Sequence, residues 1–578
     1  MASNQILASV GRKGLSIPLS SFKARIGGEV QLRKFLKALT IVEKIHPGCP
    51  RGIAPSVRRA YILGSQSEDI LILPRIKGIP FLQTRTKAGL LLIDGLCESI
   101  NNEQLPVPRR VEAERFVTEE ILYDYQEVVI NFMCGDDGPF NQKHGPLDGV
   151  AYLQMDTGLG KTRIGCGIIA ALGEPALIVV PTDALATQWF DELSGIYPLI
   201  KVEVFHNPPK KSRKIPPNSV THDIVIIIVN TFRDKTPEFM EGYGTVIFDE
   251  AHEYHSIHNS RALWLAQTRN VLGLSATPLE RKDGLDKYVQ LHLGPIIDAK
   301  SIPGFDISAI NFRGEVRAIE YAGHPDYCET AISPMGMMSA IMTIGNIIKD
   351  PDRTKLIVSE IERLYNLHET STQVELDRLG LGSKSVCHDT VRRHGVFVFA
   401  EHRDYLITIR AALCESCHPD DIIDAFGDDI PCGQVKGVPI SILRGGVAKN
   451  AVSDARRAKS HIVLTTYGFS RRGISLPDMT SIVLATPRRN GLNQIIGRIL
   501  RRGSDESIIR QIVDIIDIRT GLRGQFSERR KVYAEKKYPV MKISASSAGT
   551  IILPADDVQQ LSMNDYSIDE LFDVCVRK

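Results

Sequence analysis

Short, uninterrupted apolar runs recur along the chain, with room between them for a helix or a loop. Four of these runs, ALIVV, IVIIIV, TVIF and VLGL, lie between Ala176 and Ala276. The pattern begins again at Gly395 with GVFVFA and continues with VPISIL, HIVLTT, SIVLAT and IVDIID. Continuous apolar strands that alternate with helices are typical of parallel sheets covered on both faces. We therefore predict an α/β protein that contains two domains of similar construction.

Polar and proline-containing stretches indicate where these domains begin and end. The stretch NNEQLPVPRRVEAE, from Asn101, has the composition of a linker. A second polar stretch, from His368, is long enough to be an insertion or a mobile loop. The segments we expect are a small basic N-terminal domain of unspecified fold over 1–117, a first α/β domain over 118–305, a connector over 306–345, a second α/β domain over 346–545 and a C-terminal extension over 546–578.

Composition adds a charge asymmetry to this picture. The chain has 578 residues, of which 43% are hydrophobic and 24% charged, as in ordinary folded proteins. Its formal net charge is only +2, yet residues 1–118 hold eighteen Lys and Arg against nine Asp and Glu. This excess indicates either a polyanionic partner or a solvated basic face. The ten cysteines are scattered, the start of the chain has no apolar signal core, and no apolar run is long enough to cross a bilayer. These features predict an intracellular protein without a membrane partner.

The clearest chemical pattern lies between Gly149 and Leu172, where a strand, a glycine loop and a helix follow one another. Backbone N–H groups of such a loop can close on a triphosphate, Lys161 can reach the β and γ oxygens, and the Thr162 hydroxyl can hold Mg²⁺. A plain glycine turn between a strand and a helix is the alternative. The residues we expect to bind the nucleotide here are Thr157, Gly158, Leu159, Gly160, Lys161 and Thr162.

Two further polar groups follow apolar runs of the first domain. Asp249 and Glu250 come directly after TVIF, where Asp249 can hold Mg²⁺ and Glu250 can orient or deprotonate the attacking water. The turn after VLGL can hydrogen-bond the acidic pair and couple the state of the nucleotide to the rest of the domain. The residues expected in that coupling are Ser275, Ala276, Thr277 and His252.

The second half of the chain carries a basic pattern, QIIGRILR. We expect a helix here that projects Gln494, Arg498 and Arg501 to one side. Arginines supplied from a second domain can neutralise charge on a transferring phosphoryl group. A surface helix with salt bridges is the alternative, and periodicity does not distinguish the two.

Two weaker patterns also contain chemically capable residues. Cys414, Cys417 and His418 could form half of a zinc site, but no second pair has the matching spacing. The basic loop PPKKSRKIPP, from Pro208, could be an address signal or touch DNA, although a solvated loop is the commoner explanation.

Taken in order, these motifs resemble those of the superfamily 2 helicases and translocases, over roughly residues 118–545. The matching stretches include MDTGLGKT, VVPTDALATQW, VNT, DEAH, SAT, FVFAEHRDYL, LTTYGFSRRGISLPD and QIIGRILR. SATPLERKDGL and GISLPDMTSIVLATP are similar to one branch of the superfamily. That branch contains transcript-release helicases of poxviruses and other large DNA viruses, the branch-migration helicase of T4-type phages and, more distantly, the TFIIH helicase mutated in xeroderma pigmentosum group B.

The resemblance implies two tandem RecA-like domains that use ATP and Mg²⁺, with ATP bound between them. It implies that Gln126 reads the adenine and that Gly473 lies at the nucleotide. It also implies that several residues touch the sugar-phosphate backbone of one strand, and hydroxyls, backbone amides and arginine are suited to that task. These residues are Pro181, Thr182 and Thr231 in the first domain and Arg444, Gly445, Thr465 and Thr466 in the second.

Three hypotheses of function follow. The first is an ATP-dependent DNA helicase or translocase, in viral transcription termination or transcript release, with the transcription machinery as a partner. Such a protein would act in the host cytoplasm or nucleus and could be packaged in the virion. The second replaces DNA with RNA or an RNA:DNA hybrid, because backbone contacts do not identify the sugar. The third is a nucleic-acid-binding scaffold without turnover, which the intact charged motif residues disfavour.

Overall fold

A computed structural model provides the structure of the protein. The residues that it describes are 7–11, 14–45, 54–64, 68–75, 80–82, 91–92, 99–102, 105, 107–119, 122–141, 147–206, 217–279, 281, 283–307, 313–334, 336–366, 395–415, 434–435, 438–445, 451, 454–455, 462–470, 476, 479–489, 491–500 and 508–545. The chain divides into two compact units, Met1–Ile307 and Ser308–Lys578, which we call the first and the second unit.

The N-terminal part of the first unit is built from short strands and two helices. Five of its strands form a sheet in the order β5-β6-β2-β1-β9, antiparallel except for the β1–β9 pair. The strands are β1 (Leu7–Gly11), β2 (Gly14–Pro18), β3 (Thr40–Val42), β4 (Val57–Arg59), β5 (Ile62–Leu63), β6 (Ile70–Leu73), β7 (Pro80–Leu82), β8 (Leu91–Leu92) and β9 (Ser99–Asn102), and the helices are α1 (Leu19–Arg25) and α2 (Glu29–Ala38). The remaining pairs, β3–β4 and β7–β8, are antiparallel.

The rest of the first unit is organised around a parallel sheet of seven strands in the order β12-β13-β11-β14-β15-β10-β16. These strands are β10 (Val150–Gln154), β11 (Ala176–Val180), β12 (Val202–Val204), β13 (Ile224–Ile228), β14 (Thr245–Phe248), β15 (Asn270–Ser275) and β16 (Ile296–Asp298). The helices are α3 (Asp124–Cys134), α4 (Lys161–Leu172), α5 (Asp183–Ile196), α6 (Val229–Phe232), α7 (Arg261–Leu265) and α8 (Asp286–Leu293). The central strands are buried along nearly their whole length, as expected of a sheet covered on both faces.

The second unit contains a sheet in the order β19-β20-β21-β18-β22-β23-β17-β24, parallel except for the β19–β20 pair. The strands are β17 (Gly314–Tyr321), β18 (Gly395–Ala400), β19 (Gln434–Val435), β20 (Val438–Leu443), β21 (Ile462–Thr466), β22 (Met479–Leu484), β23 (Arg510–Asp517) and β24 (Val540–Ala545). The helices are α9 (Ala340–Ile347), α10 (Pro351–Asn366), α11 (Arg403–Glu415), α12 (Tyr467–Ser470), α13 (Leu492–Ile496) and α14 (Gln525–Glu535).

The two parallel sheets confirm the predicted α/β class with tandem RecA-like domains. Every apolar run named from the sequence contributes a strand to one of them. The strand β17 lies inside the segment expected as a connector, 306–345, and pairs with β23 and β24. The stretch from His368, the loop from Pro208, Cys417 with His418 and the extension 546–578 lie outside the described residues.

The N-terminal strands and helices share one buried cluster with the first parallel sheet. Phe22, Phe35 and Leu73 belong to the same cluster as Tyr152 and Phe248. A backbone contact reinforces this packing just beyond β3, where the Lys44 N–H donates to the Asp283 carbonyl at 2.9 Å. Within the described residues, no helix is both long and apolar enough to cross a membrane.

Candidate active site

The loop between β10 and α4 has the backbone shape of a phosphate cradle. Gly158 and Gly160 adopt φ angles of 94° and 79°, which side chains other than glycine rarely tolerate. A Cβ atom added to Gly160 would also collide with Nε2 of Gln126. Lys161 then begins the twelve-residue helix α4. The loop therefore meets a helix N-terminus, whose partial positive charge favours phosphate.

Gln126 is buried against this loop. Its Nε2 donates to the Leu159 carbonyl at 3.1 Å and to the Tyr125 hydroxyl at 3.3 Å. The Tyr125 hydroxyl donates to the same carbonyl at 3.0 Å, and Oε1 of Gln126 accepts from the Tyr123 N–H at 3.2 Å. The structure thus makes Gln126 a support of the loop, while its reading of adenine stays a prediction.

Backbone contacts join the loop to the neighbouring strand end. The Lys161 ammonium donates to the Met155 carbonyl at 3.3 Å, and the Met155 N–H donates to the Ser275 carbonyl at 3.0 Å. Residue Gln154 pairs with Ser275 across the parallel strands β10 and β15. The phosphate loop and the turn that begins at Ser275 are therefore held side by side.

Asp249 is buried at the end of β14 with both of its carboxylate oxygens hydrogen-bonded. Oδ2 accepts from the Trp189 indole N–H at 2.8 Å, and Oδ1 accepts from the Glu250 N–H at 2.9 Å. Burial, followed by the neighbouring Glu250 carboxylate, raises the pKa of Asp249 to about 6, although the Trp189 indole and Lys161 act to lower it. A cation near this carboxylate would favour its charged form.

Glu250 is held in a strained backbone conformation, with a φ angle of 47°. Its Oε2 atom is buried and has no hydrogen-bond partner among the described residues. Nδ1 of His252 lies 3.5 Å from this oxygen and 3.0 Å from the Ser275 hydroxyl, which also accepts from the Thr277 N–H at 3.0 Å. Burial alone would lower the pKa of His252, but the Glu253 and Glu250 carboxylates outweigh it and raise that pKa.

The residues around the loop fit a Mg²⁺ ion. The ion prefers hard oxygen ligands, and Thr162 and Asp249 offer a hydroxyl and a carboxylate. Each Asp249 oxygen has two lone pairs, so its hydrogen bonds leave capacity for a metal or its water. The buried Oε2 of Glu250 is a free acceptor among the described residues, as a group that orients water requires.

The expected strand-contacting residues lie on the same sheet edge as this site. The strand order places the end of β13 beside β11, then β14, β15 and β10. Since all five strands are parallel, their carboxyl ends meet at one edge, where such sheets bind ligands. In that order the ends carry Thr231, Pro181 with Thr182, Asp249, Ser275 and the phosphate loop. Thr182 also caps α5 by accepting from the Leu185 N–H at 3.4 Å.

In the second unit, Arg444 and Gly445 follow β20, and Thr465 and Thr466 end β21. The buried Thr465 hydroxyl donates to the Leu443 carbonyl at 2.7 Å, and the Thr466 hydroxyl accepts from the Phe469 N–H at 3.2 Å. These hydroxyls thus brace the strand end. A Cβ atom on Gly445 would lie 2.7 Å from Nη2 of Arg403, the first residue of α11.

The helix expected to carry Gln494 and the two arginines ends earlier than predicted, at Ile496. The Arg498 N–H bonds the Ile495 carbonyl at 3.0 Å, three residues back instead of four, so the chain tightens after the helix. The four-residue spacing of Gln494 and Arg498 therefore no longer implies one face. Arg498 is buried, whereas Arg501 and Gly473 lie outside the described residues.

Comparison with known proteins identifies the family. Residues 119–280 match the family model "Type III restriction enzyme, res subunit". The chain is 38% identical over 515 residues to the African swine fever virus protein "Putative ATP-dependent RNA helicase QP509L", covering 89% of each chain. The chain belongs to the superfamily 2 helicases.

Other similarities are shorter or more distant. The helicase is 29% identical over 205 residues to "Putative DNA 3'-5' helicase Rad25" of Haloarcula marismortui, covering 32% of this chain and 31% of that one. The crystal structure of T4 UvsW aligns with 94% of this chain and 100% of its own, at 15% identity and a TM-score of 0.33. Membership of the superfamily makes the protein an ATP-hydrolysing enzyme, so the scaffold hypothesis is not kept.

Sequence reasoning missed three side chains of this helicase. Trp189 contacts Asp249, Arg403 lies against Gly445, and Lys300 places its ammonium 2.9 Å from Asp156 of the phosphate loop. The first two fall within quoted stretches, VVPTDALATQW and FVFAEHRDYL, so their positions were visible but their contacts were not. Nothing local to Lys300 indicates its proximity to the loop. Within the described chain, no group of three or more His, Cys, Asp or Glu is placed to hold a metal ion.

Proposed function

We propose that this helicase moves along one strand of DNA at the expense of ATP and acts in viral transcription termination or transcript release, with the transcription machinery as a partner. The observation that supports a motor is the row of five strand ends. It brings the phosphate loop and Asp249 onto the same edge as the polar residues Thr182 and Thr231. The partial similarity to a protein named as a DNA helicase favours DNA.

In this proposal each residue of the first unit has a defined task. The loop N–H groups and Lys161 bind the phosphates, while Thr162 and Asp249 hold Mg²⁺, which when bound neutralises phosphate charge. Glu250 accepts a hydrogen bond or a proton from the attacking water through its buried Oε2. His252 lies 3.5 Å from the Glu250 carboxylate and shares a hydrogen bond with Ser275, which also accepts from the Thr277 N–H, so that loss of the terminal phosphate changes the contacts at the end of β15.

The second unit supplies positive charge and further strand contacts. We propose that Arg498 and Arg501 stabilise the charge on the transferring phosphoryl group and that Gln494 and Gly473 lie at the nucleotide. Arginines in this role contribute about 10³ to 10⁵ in rate. Arg444 and the Gly445 backbone contact the sugar-phosphate chain, while Thr465 and Thr466 shape the strand end from which these contacts are made.

RNA or an RNA:DNA hybrid is the second candidate substrate. It is favoured by one observation, that the relative covering 89% of this chain is named as an RNA helicase. Contacts to phosphate and sugar do not separate the two substrates by themselves, because only a partner of the 2′-hydroxyl distinguishes RNA from DNA.

The test is ATP turnover by the full chain with single-stranded DNA, duplex DNA, RNA, an RNA:DNA hybrid or no nucleic acid. We expect DNA to stimulate turnover of the wild type. Glu250→Gln keeps the size of the side chain but removes its charge, so turnover should fall by about 10² to 10⁴ while nucleotide binding remains. Lys161→Ala should abolish turnover through loss of phosphate binding, and circular dichroism checks that both variants fold.

The outcomes separate the candidates. Stimulation by RNA or hybrid alone would exclude the DNA proposal in favour of the second candidate. Full turnover by Glu250→Gln would contradict its role at the water, and turnover by Lys161→Ala would contradict the phosphate site.

A further inference from the structure

Trp189 connects three parts of the nucleotide site. It lies on α5, is fully buried, and donates its indole N–H to Oδ2 of Asp249 at 2.8 Å. The two residues are sixty positions apart in the chain. A buried tryptophan N–H normally finds a partner, and here that partner is a carboxylate oxygen expected at the metal.

The surroundings of Trp189 are shaped to hold the indole in this orientation. A Cβ atom on Gly165 of α4 would lie 2.5 Å from the outer edge of the indole ring and 3.5 Å from the Ile247 side chain. Glycine at position 165 therefore leaves room for the ring against the phosphate-loop helix. Because the ring is fully buried and packs against this helix, its N–H is held in the direction of Asp249.

This contact limits the geometry that the Asp249 carboxylate can adopt. The Glu250 N–H fixes Oδ1 and the indole fixes Oδ2, so the plane of the carboxylate is determined by two donors on different elements. Partners of this kind orient a ligand before the metal arrives, and their loss typically lowers metal affinity by about 10- to 100-fold.

A second side chain of α5 approaches the other expected Mg²⁺ ligand. Nε2 of Gln188 lies 3.5 Å from the Thr162 hydroxyl oxygen. The same helix begins at Asp183, next to its cap Thr182. The helix α5 therefore begins beside Thr182, which is expected to contact the nucleic acid. One to two turns later, the same helix contacts both expected metal ligands, Thr162 and Asp249.

We propose that Trp189 is a positioning residue for the magnesium site, which orients the Asp249 carboxylate from α5. The proposal rests on the proposed function only in that Asp249 holds Mg²⁺. Trp189 takes no part in bond making, and its effect is on the concentration of Mg²⁺ at which the nucleotide binds.

The experiment compares Trp189→Phe with Trp264→Phe in the full chain. Phenylalanine fills most of the indole space but cannot donate a hydrogen bond. Trp264 is a matched control, since it lies in the same unit and its indole N–H donates to a neutral group, the Tyr288 hydroxyl, at 2.9 Å. Mg²⁺ is titrated at fixed ADP and binding is followed by calorimetry, so no turnover is needed. We expect Trp189→Phe to raise the half-saturating Mg²⁺ concentration by about tenfold or more, and Trp264→Phe to leave it unchanged.

A second measurement uses the native Trp189. The chain has two tryptophans, so Trp264→Phe leaves Trp189 as the sole one. Its emission should change when Mg²⁺ is added to the ADP complex, and the change should disappear when Asp249→Asn is added to this variant. This measurement stands even if Trp189→Phe does not fold.

The results separate the positioning role from packing and from the metal site itself. Two results would overturn the proposal and leave Trp189 as a core residue. One is a folded Trp189→Phe variant with the Mg²⁺ affinity of the wild type. The other is a Trp189 emission that does not change with Mg²⁺ although calorimetry records Mg²⁺ binding. Absence of Mg²⁺-dependent ADP binding in the wild type would instead contradict the magnesium site of the proposed function, and the positioning role with it.

Discussion

His292 is a buried histidine that makes the first unit sensitive to acid. Its ring centroid lies 4.6 Å from that of Trp264 and 4.7 Å from that of Tyr288. Its Nε2 has no hydrogen-bond partner among the described residues, and burial lowers the pKa of His292 to about 3. In an unfolded chain the pKa of histidine is about 6.5. Below that pH, the unfolded state binds a proton at this histidine and the folded state does not. The free energy of unfolding therefore falls as the pH is lowered from about 6.5 toward the pKa of the folded state.

We predict that His292→Phe removes this component of the pH dependence. Between about pH 7.5 and pH 5, the free energy of unfolding of the wild type should fall by roughly 2 kcal/mol more than that of the variant. Urea unfolding followed by tryptophan emission measures it, because Trp189 and Trp264 both lie in the first unit. The exposed His206 supplies the control, His206→Gln, which should keep the wild-type slope. Parallel slopes for His292→Phe and the wild type would contradict the prediction.

Two buried aspartates in β23 show how charge is accommodated inside a parallel sheet. Asp517 receives two hydrogen bonds from Arg353, and Asp514 receives two from Arg529. Fork-shaped arginine contacts of this kind satisfy both carboxylate oxygens. The strand IVDIID therefore stays buried although it carries two acids, because their partners come from α10 and α14.

At the scale of elements, Arg75 joins the N-terminal part to the first parallel sheet. It follows β6 and is buried, and its guanidinium donates to the carbonyls of Asp148, Thr268 and Arg269 at 2.8, 2.6 and 3.1 Å. Burial lowers the pKa of Arg75 to about 10, a change that Asp148 partly opposes. These carbonyls lie just before β10 and β15, the two strands that end at the phosphate loop and at Ser275.

We predict that Arg75→Met destabilises the first unit by about 3 kcal/mol or more, since it leaves the buried Thr268 carbonyl and two partly buried carbonyls without this donor. Arg75→Lys should recover only part of this loss, because an ammonium cannot reproduce the planar fork. Arg59→Met, at an exposed site of the same N-terminal part, should change stability little. Urea unfolding followed by tryptophan emission measures the free energy of unfolding of all three variants. Equal stability of Arg75→Met and Arg59→Met would contradict the stabilising role of the Arg75 hydrogen bonds.

At the scale of the whole molecule, the excess of basic residues at the N-terminus is carried by a part that shares its core with the first sheet. Deleting residues 1–117 would therefore expose that core and would not report on binding. The helix α2 offers a cleaner test. It buries Leu32 and Phe35 and carries Arg33, Lys34 and Lys37 on its exposed side.

We predict that this exposed face of α2 binds nucleic-acid phosphates. Reversing Arg33, Lys34 and Lys37 to Glu should weaken duplex binding and flatten its dependence on salt, by about 0.9 in the log–log slope for each phosphate that the variant no longer neutralises. Reversing the exposed Lys355, Arg523 and Lys531 of the second unit changes the net charge equally and is the control. If both triple variants bind alike at every salt concentration, the face of α2 is only a solvated surface.

Much of the architecture was predictable because it depends on neighbours in sequence. The runs ALIVV and GVFVFA became β11 and β18, and the glycine spacing before Lys161 became the cradle. The N-terminal fold was not predictable, since its strands have two to five residues and alternate weakly. The strand β17 was missed because GEVRAIEY is not a continuous apolar run like the others, and only its pairing with β23 and β24 places it inside the sheet, next to the edge strand.

The sequence by itself determined the α/β class, the phosphate loop, the acidic pair and the family, because the loop and the pair consist of residues a few positions apart, and the class and the family follow from the order in which such short stretches recur. The tertiary structure decided which strand ends meet, that Trp189 holds Asp249, that Arg75 ties the N-terminal part to β10 and β15, and that the helix before Arg498 stops at Ile496. The physical reason is that these features depend on strand order and on space between elements. Contacts between residues about sixty to two hundred positions apart cannot be read from the periodicity of the sequence.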